Sequence, residues 1–139
     1  MRVLVCGGRG YGNVSVTVPG EHQIAAVQLA RDQRYRVKHT LDFIHDASPI
    51  DVVIHGGASG ADTHGGYWAF FHGIPEIVFT ANWTAHGKAA GPLRNSRMLV
   101  EGKPDLVVAF PGGRGTADMV LKAKMAGVKV MEVDHVLQS

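Results

Sequence analysis

The chain has 139 residues, 45% of them hydrophobic and 19% charged, with a formal net charge of +2. That size suits one domain, residues 1–139, around one core, and that balance is of a globular protein rather than a disordered or fibrous one. No apolar run approaches the ~18 residues that a membrane span needs, and so small a net charge gives no reason to expect a nucleic-acid polymer as partner.

Residues 1–6 read as a first strand; their apolar stretch is too short for a signal peptide. One cysteine, Cys6, excludes an internal disulfide and points to a reducing, cytoplasmic setting. A glycine-rich turn follows, Gly7-Gly8-Arg9-Gly10-Tyr11-Gly12. Residues 11–20 alternate Val14, Val16 and Val18 with polar residues and are expected to form a loop. A helix is expected from 21 to about 45, carrying Ile24, Val27, Leu41 and Ile44, with the polar stretch 31–38 as a candidate break.

A second strand at 51–55 ends in His55-Gly56-Gly57-Ala58-Ser59-Gly60-Ala61-Asp62. The helix after it is expected over 59–73, opened by Ser59 as cap and closed by Gly73. A third strand at 76–80 leads into a polar connection, 81–91, whose Asn82, Trp83, His86 and Lys88 are placed to cover a pocket. Pro92 and Gly102 bracket a helix over 92–101. A fourth strand at 105–110 runs into Pro111-Gly112-Gly113-Arg114-Gly115-Thr116, then a helix to Ala126 stopped by Gly127, then a fifth strand at 128–133. All five strands are short, apolar and β-branched, as strands buried on both faces are. Strands alternating with helices predict a parallel sheet with right-handed crossovers.

More than half of the 18 glycines sit in the three turns. In a parallel sheet these turns meet at one edge, where such sheets bind ligands. Glycine lets backbone N–H groups close on an anion, and a following helix adds its positive end. The candidate ligand-binding residues are Gly7, Gly8, Arg9, Gly56, Gly57, Ser59, Asp62, Arg94, Asn95, Arg97, Pro111, Gly112, Gly113, Arg114, Gly115 and Thr116.

Each has a plainer role available. The glycines serve tight packing, the arginines serve a solvated surface, and Ser59 and Asp62 serve the start of their helix. Gly7–Gly12 is not a clean GxGxxG and has no acidic residue at the ribose position, so a dinucleotide fingerprint is not supported. Eight histidines include His55 and His64 near Asp62, but neither HExxH nor a cysteine–histidine spacing is present, so no metal and no cofactor is expected. His55 is placed to line the pocket. Trp83 or Tyr11 is positioned either to stack on a base or to pack, and Cys6 reads as a buried small residue rather than a nucleophile.

Four ordered motifs carry a family resemblance: Val5 to Arg9, Ile54 to Asp62, Ala90-Gly91-Pro92-Leu93-Arg94-Asn95-Ser96-Arg97-Met98, and Ala109 to Met119. They resemble the SLOG superfamily, which includes LOG phosphoribohydrolases and DprA/Smf proteins, and within it the YspA-like, YpsA-related group, from residue 1 to about 134. The resemblance implies a Rossmann-like three-layer α/β/α sandwich with a five-stranded parallel sheet of order 3-2-1-4-5. It implies a nucleotide or nucleotide-derived ligand, with phosphate on the 112–116 amides neutralised by Arg9 and Arg94 or Arg97, and Asp62 or Asn82 at ribose or base. SLOG relatives form dimers or larger assemblies, so a homo-oligomer is expected, with Trp68-Ala69-Phe70-Phe71 as its apolar patch.

LOG enzymes carry a glutamate three residues after PGGxGT that works with an arginine in N-glycosidic cleavage. Here Met119 holds that position and Asp118 precedes it. Residues adjacent on a helix point about 100° apart. The leading expectation is therefore binding, as a sensor or sequestering module. The alternative is a nucleoside monophosphate N-glycosidic hydrolase using Asp118, Asp62 and Arg97, and single-stranded DNA binding ranks third.

Overall fold

The structure, a computed structural model, describes residues 1–15 and 19–134. Val16 and Val18, and with them part of the expected loop at 11–20, lie outside the described residues.

Five strands form one all-parallel sheet: β1 (Arg2–Cys6), β2 (Val52–His55), β3 (Glu76–Val78), β4 (Leu106–Ala109) and β5 (Lys129–Glu132). Their order is β3-β2-β1-β4-β5, as the resemblance implied. Val3 of β1 lies opposite Val53 on one side and Leu106 on the other, which places β1 at the centre.

Alternate side chains feed two separate cores, as the period-2 pleat requires. Val3, Val5, Val53 and Val108 pack under α1 (Gln23–Ala47) and α2 (Ala61–Phe71), against Val37, Leu41, Ile44 and Trp68. Leu4, Cys6, Ile54 and Val107 pack on the opposite face under α4 (Ala90–Val100) and α5 (Arg114–Met125), against Met98, Met119 and Ala123. The short α3 (Trp83–His86), capped by Asn82 Oδ1 accepting from the Ala85 N–H at 3.0 Å, interrupts the connection between β3 and α4.

Several expectations need correction. The outer strands β3 and β5 are not buried on both faces: Glu76, Val78, Lys129 and Glu132 are exposed, because these strands are the edges of the sheet. Helix α1 runs unbroken through 31–38, because Ala30, Val37, Leu41 and Ile44 form its buried stripe while the polar residues face outward. Ile24 and Val27 lie outside that stripe and are exposed. Ser59 does not cap α2; Gly60 holds the cap position and the Ser59 hydroxyl is used elsewhere. Helices α4 and α5 each begin two residues before the expected start. Pro92 stays within the first turn of α4, where a missing N–H breaks no intrahelical bond.

Candidate functional site

The sheet order places the direction reversal between β1 and β4, with α1 leaving on one face and α5 on the other. Ligands of open α/β sheets bind in the crevice this creates. The three glycine turns meet there, joined through Gly8. Its N–H donates to Pro111 O at 2.9 Å, and its carbonyl accepts from the N–H groups of Tyr11 and Ala61, both at 3.2 Å. The Ser59 hydroxyl donates to Arg9 O at 3.0 Å.

Such close approach needs glycine at two points. Gly60 has φ +82°, and a Cβ there would stand 2.5 Å from Arg9 O. A Cβ on Gly112 would stand 2.7 Å from Gly8 N.

The turns enclose a cleft of about 570 Å3, a size typical of small-ligand sites. Cys6, Gly7 and Gly8 form its floor. The start of α5 supplies one wall through Gly113, Arg114, Gly115, Thr116 and Asp118. Helix α4 supplies the other through Gly91, Pro92, Arg94, Asn95 and Met98. Arg9, Trp83 and Lys88 stand around it, with Ala58 and Asp62 completing the lining.

Four cationic side chains therefore line one cleft beside two carboxylates. The Arg9 guanidinium rests 5.3 Å from the Trp83 ring centroid. No side chain caps α5, so its first-turn amides face the cleft without the acceptor that a capping residue provides.

Other groups hold the walls in place. Half-buried Arg94 donates from Nη1 to Gly56 O at 2.7 Å and from Nε to Asn95 Oδ1 at 3.1 Å. Buried Asn95 donates from Nδ2 to Gly115 O at 3.1 Å and to Asp118 Oδ2 at 3.0 Å, tying α4 to the start of α5. Lys122 Nζ donates to the same Asp118 oxygen at 2.9 Å and to Pro92 O at 2.8 Å.

Asp62 is buried, and its Oδ2 accepts the N–H of Gly56 at 3.0 Å and of Ala58 at 3.3 Å. Burial pushes its carboxyl up from the ordinary range, opposed by those N–H groups and by the charge of Arg94. His55 Nδ1 accepts the Gly57 N–H at 3.0 Å, which leaves Nε2 to donate to Glu76 Oε1 at 2.7 Å. The amides of Gly56, Gly57 and Ala58 are thus all taken by side chains of the protein itself.

The expected residues divide by position. Gly7, Gly8, Arg9, Asp62, Arg94, Asn95, Gly113, Arg114, Gly115, Thr116 and Asp118 line the cleft. Gly56, Gly57 and Ser59 line an adjoining cavity instead. Pro111 and Gly112 border a third cavity, between α5 and the end of β5. Arg97 is outside the cleft lining: it pairs with Glu101 at 3.0 Å and lies over the Phe79 ring at 5.5 Å. His55 is turned to Glu76, and Tyr11 packs on Phe110 with ring centroids 5.5 Å apart, so neither reaches the cleft. Met119 is fully buried among Leu4, Cys6 and Val107, while Asp118 beside it faces the cleft.

Sequence reasoning missed Gly91, Pro92 and Met98 as lining and treated Lys88 only as cover. Gly91, Pro92 and Met98 fall within the motif at 90–98, but which of its residues line the cleft depends on how α4 docks. No cluster of metal-ligating side chains occurs among the described residues, and no helix among them is long and apolar enough to cross a membrane.

Cys6 lines the floor yet is poorly suited to attack. Burial, reinforced by the Asp62 charge, pushes its thiol up to about 12, so the thiolate is scarce at neutral pH. Native protein at pH 8 should resist alkylation by iodoacetamide and react fully in denaturant. Rapid labelling of the folded protein, followed by mass spectrometry, would show this account to be wrong.

A parallel sheet with glycine turns gathered on a ligand-sized cleft at its reversal point defines a Rossmann-like α/β protein. The chain belongs to the YspA, cpYpsA-related SLOG family (YAcAr), whose profile matches residues 1–86. It is also 43% identical over 98 residues to the "Gene 61 protein" of Mycobacterium phage D29, covering 65% of this chain and 77% of that protein. The family match covers β1 through α3, whereas the α4 and α5 walls of the cleft lie beyond it.

Proposed function

We propose that the cleft binds a nucleotide or nucleotide-derived ligand and that the protein acts as a sensor or sequestering module for it. The observation that carries this is the convergence of Arg9, Lys88, Arg94 and Arg114 on one cleft that also holds the uncapped start of α5. A phosphate over the amides of residues 114–116 meets the positive end of α5 and the planar forks of Arg114 and Arg9. Trp83, Pro92 and Met98 supply an apolar surface for a base. Family membership is consistent with a nucleotide-related role.

A thermal-shift screen with AMP, ATP, NAD, ADP-ribose and cyclic nucleotides tests the proposal, because a ligand of the native state raises the melting temperature. The expected result is a shift for one nucleotide class that a double variant, Arg9→Ala with Arg114→Ala, loses. No shift with any of them at millimolar concentration would overturn it.

A second function, N-glycosidic hydrolysis of nucleoside monophosphates, draws support from one observation. Asp118 presents a carboxylate to the cleft while Asn95 and Lys122 both hold its Oδ2. Such a group can stabilise oxocarbenium-like charge. Free base released from a nucleoside monophosphate, and lost in Asp118→Asn, would establish this function over simple binding.

We further propose a cytoplasmic homo-oligomer joined through the outer face of α2. Tyr67, Phe70 and Phe71 are 57%, 73% and 80% exposed there, whereas Trp68 and Ala69 of the expected patch belong to the core. A monomeric mass in light scattering at micromolar concentration would remove the idea.

A further inference from the structure

The ligand-sized space continues past Arg9. A second cavity of about 320 Å3 adjoins the first, and Arg9, Ala58, Trp83 and Arg94 line both. The partition between them is thus made largely of side chains, with the Arg9 guanidinium resting on the half-exposed Trp83 ring. Two of the four shared residues are arginines. A ligand that spans the partition therefore passes two guanidinium groups, and the linker suited to that passage is anionic.

The smaller cavity has a different chemistry from the larger. Beyond the shared residues it is lined by Gly56, Gly57, Ser59, Thr80 and Ala81, so its own side-chain groups are two hydroxyls and two methyls. Asp62 and His55 already take the N–H groups of Gly56, Gly57 and Ala58. These three amides are therefore not free to cradle a second phosphate. Ser59 already donates its hydroxyl proton to Arg9 O but keeps its lone pairs, and Thr80 brings a second hydroxyl, a set that suits a neutral group rich in hydroxyls.

We propose that the site is bipartite and takes a nucleoside diphosphate bearing a second sugar. The nucleoside fills the larger cavity. One phosphate sits at the start of α5 and the next beside Arg9 and Arg94. The terminal sugar enters the smaller cavity, where the Ser59 and Thr80 hydroxyls meet its own. This inference rests on the nucleotide proposal for the larger cleft and names the ligand class more closely.

Isothermal titration calorimetry with three matched pairs tests it: ADP and ADP-ribose, GDP and GDP-mannose, UDP and UDP-glucose. Each pair differs only beyond the second phosphate. In at least one pair the sugar-bearing member should bind about tenfold tighter or more, equal to ~1.4 kcal/mol. Ala81→Phe fills only the smaller cavity, since Ala81 does not line the larger one. It should bring the sugar-bearing ligand down to the level of its diphosphate and leave the diphosphate unchanged. Thr80→Val keeps the side-chain shape, removes one hydroxyl and should weaken only the sugar-bearing ligand, which keeps the test decisive if Ala81→Phe folds poorly. Diphosphates that bind with no gain from the sugar in any pair would overturn the bipartite site while leaving the nucleotide proposal standing. No binding by any of the six would overturn both.

Discussion

Replacing Arg9 with alanine is expected to weaken nucleotide binding about thirtyfold, equal to ~2 kcal/mol, while leaving the fold intact. The loss is set by the charge-assisted hydrogen bonds that a guanidinium makes to phosphate, here in a cleft where water is partly excluded. The fold should tolerate the change because Arg9 is exposed and the side-chain contact described for it is its stacking on Trp83. Exposed stacking of that kind contributes roughly 0.5–1 kcal/mol. Arg9→Lys should fall between the two, since lysine keeps the charge and loses the planar fork. Calorimetric titration with the nucleotide found by thermal shift, beside urea denaturation of each variant, reads both effects. Unchanged affinity in Arg9→Ala would place the ligand's phosphates elsewhere.

The largest effect on stability is expected at Met119. Glutamate there would restore the residue that LOG-type enzymes carry three positions after PGGxGT. In this chain the position is fully buried, packed with Leu4, Cys6, Val107 and Ala123. A carboxylate introduced there has no partner, and an unpaired buried charge costs roughly 3–5 kcal/mol. That is a large share of the total stability of a domain this size. Met119→Leu conserves volume and should cost less than about 1.5 kcal/mol. Urea denaturation distinguishes the two, and a Met119→Glu protein within about 1 kcal/mol of the parent would mean that this face of α5 opens readily. Asp118→Asn, one residue away on the cleft side, should change stability little. Its Oδ2 interactions with Asn95 and Lys122 lie at a partly exposed site, where ion pairs contribute little.

Much of the fold was legible because its signals are local. The central strands have apolar interiors, and each is followed within three residues by glycines that no strand interior tolerates well. The edge strands were misjudged because their apolar residues were read without the charges among them: Glu76 in β3 and Lys129 and Glu132 in β5 mark a side that faces water. Whether a strand has one neighbour or two is decided by the sheet, not by the strand. The break expected at 31–38 failed for a related reason. One valine, Val37, joined to Ala30, Leu41 and Ile44, is enough stripe to hold a helix against the sheet.

Arg94 and Arg97 illustrate the limit at the site. Their spacing puts them near one helix face, yet Arg94 reaches across to Gly56 O and lines the cleft, while Arg97 turns to Glu101 on its own helix. Only the position of the β2 turn, brought beside α4 by the sheet, separates them. The second turn is a further instance. Its glycines resemble an anion cradle, but folding delivers Asp62 and His55 to those amides first.

The sequence by itself determined the α/β alternation, the family resemblance and the gathering of glycine turns on one edge, because strand patterning and turn chemistry depend on neighbours in the chain. Tertiary structure alone decided which cations face the cleft, that Asp118 and not Met119 meets it, and that a second cavity adjoins it behind Arg9 and Trp83. Those outcomes depend on helix rotation and on hydrogen bonds between residues far apart in the chain, such as Gly8 to Pro111 and Arg94 to Gly56. Such contacts form only when separate elements pack on a shared sheet.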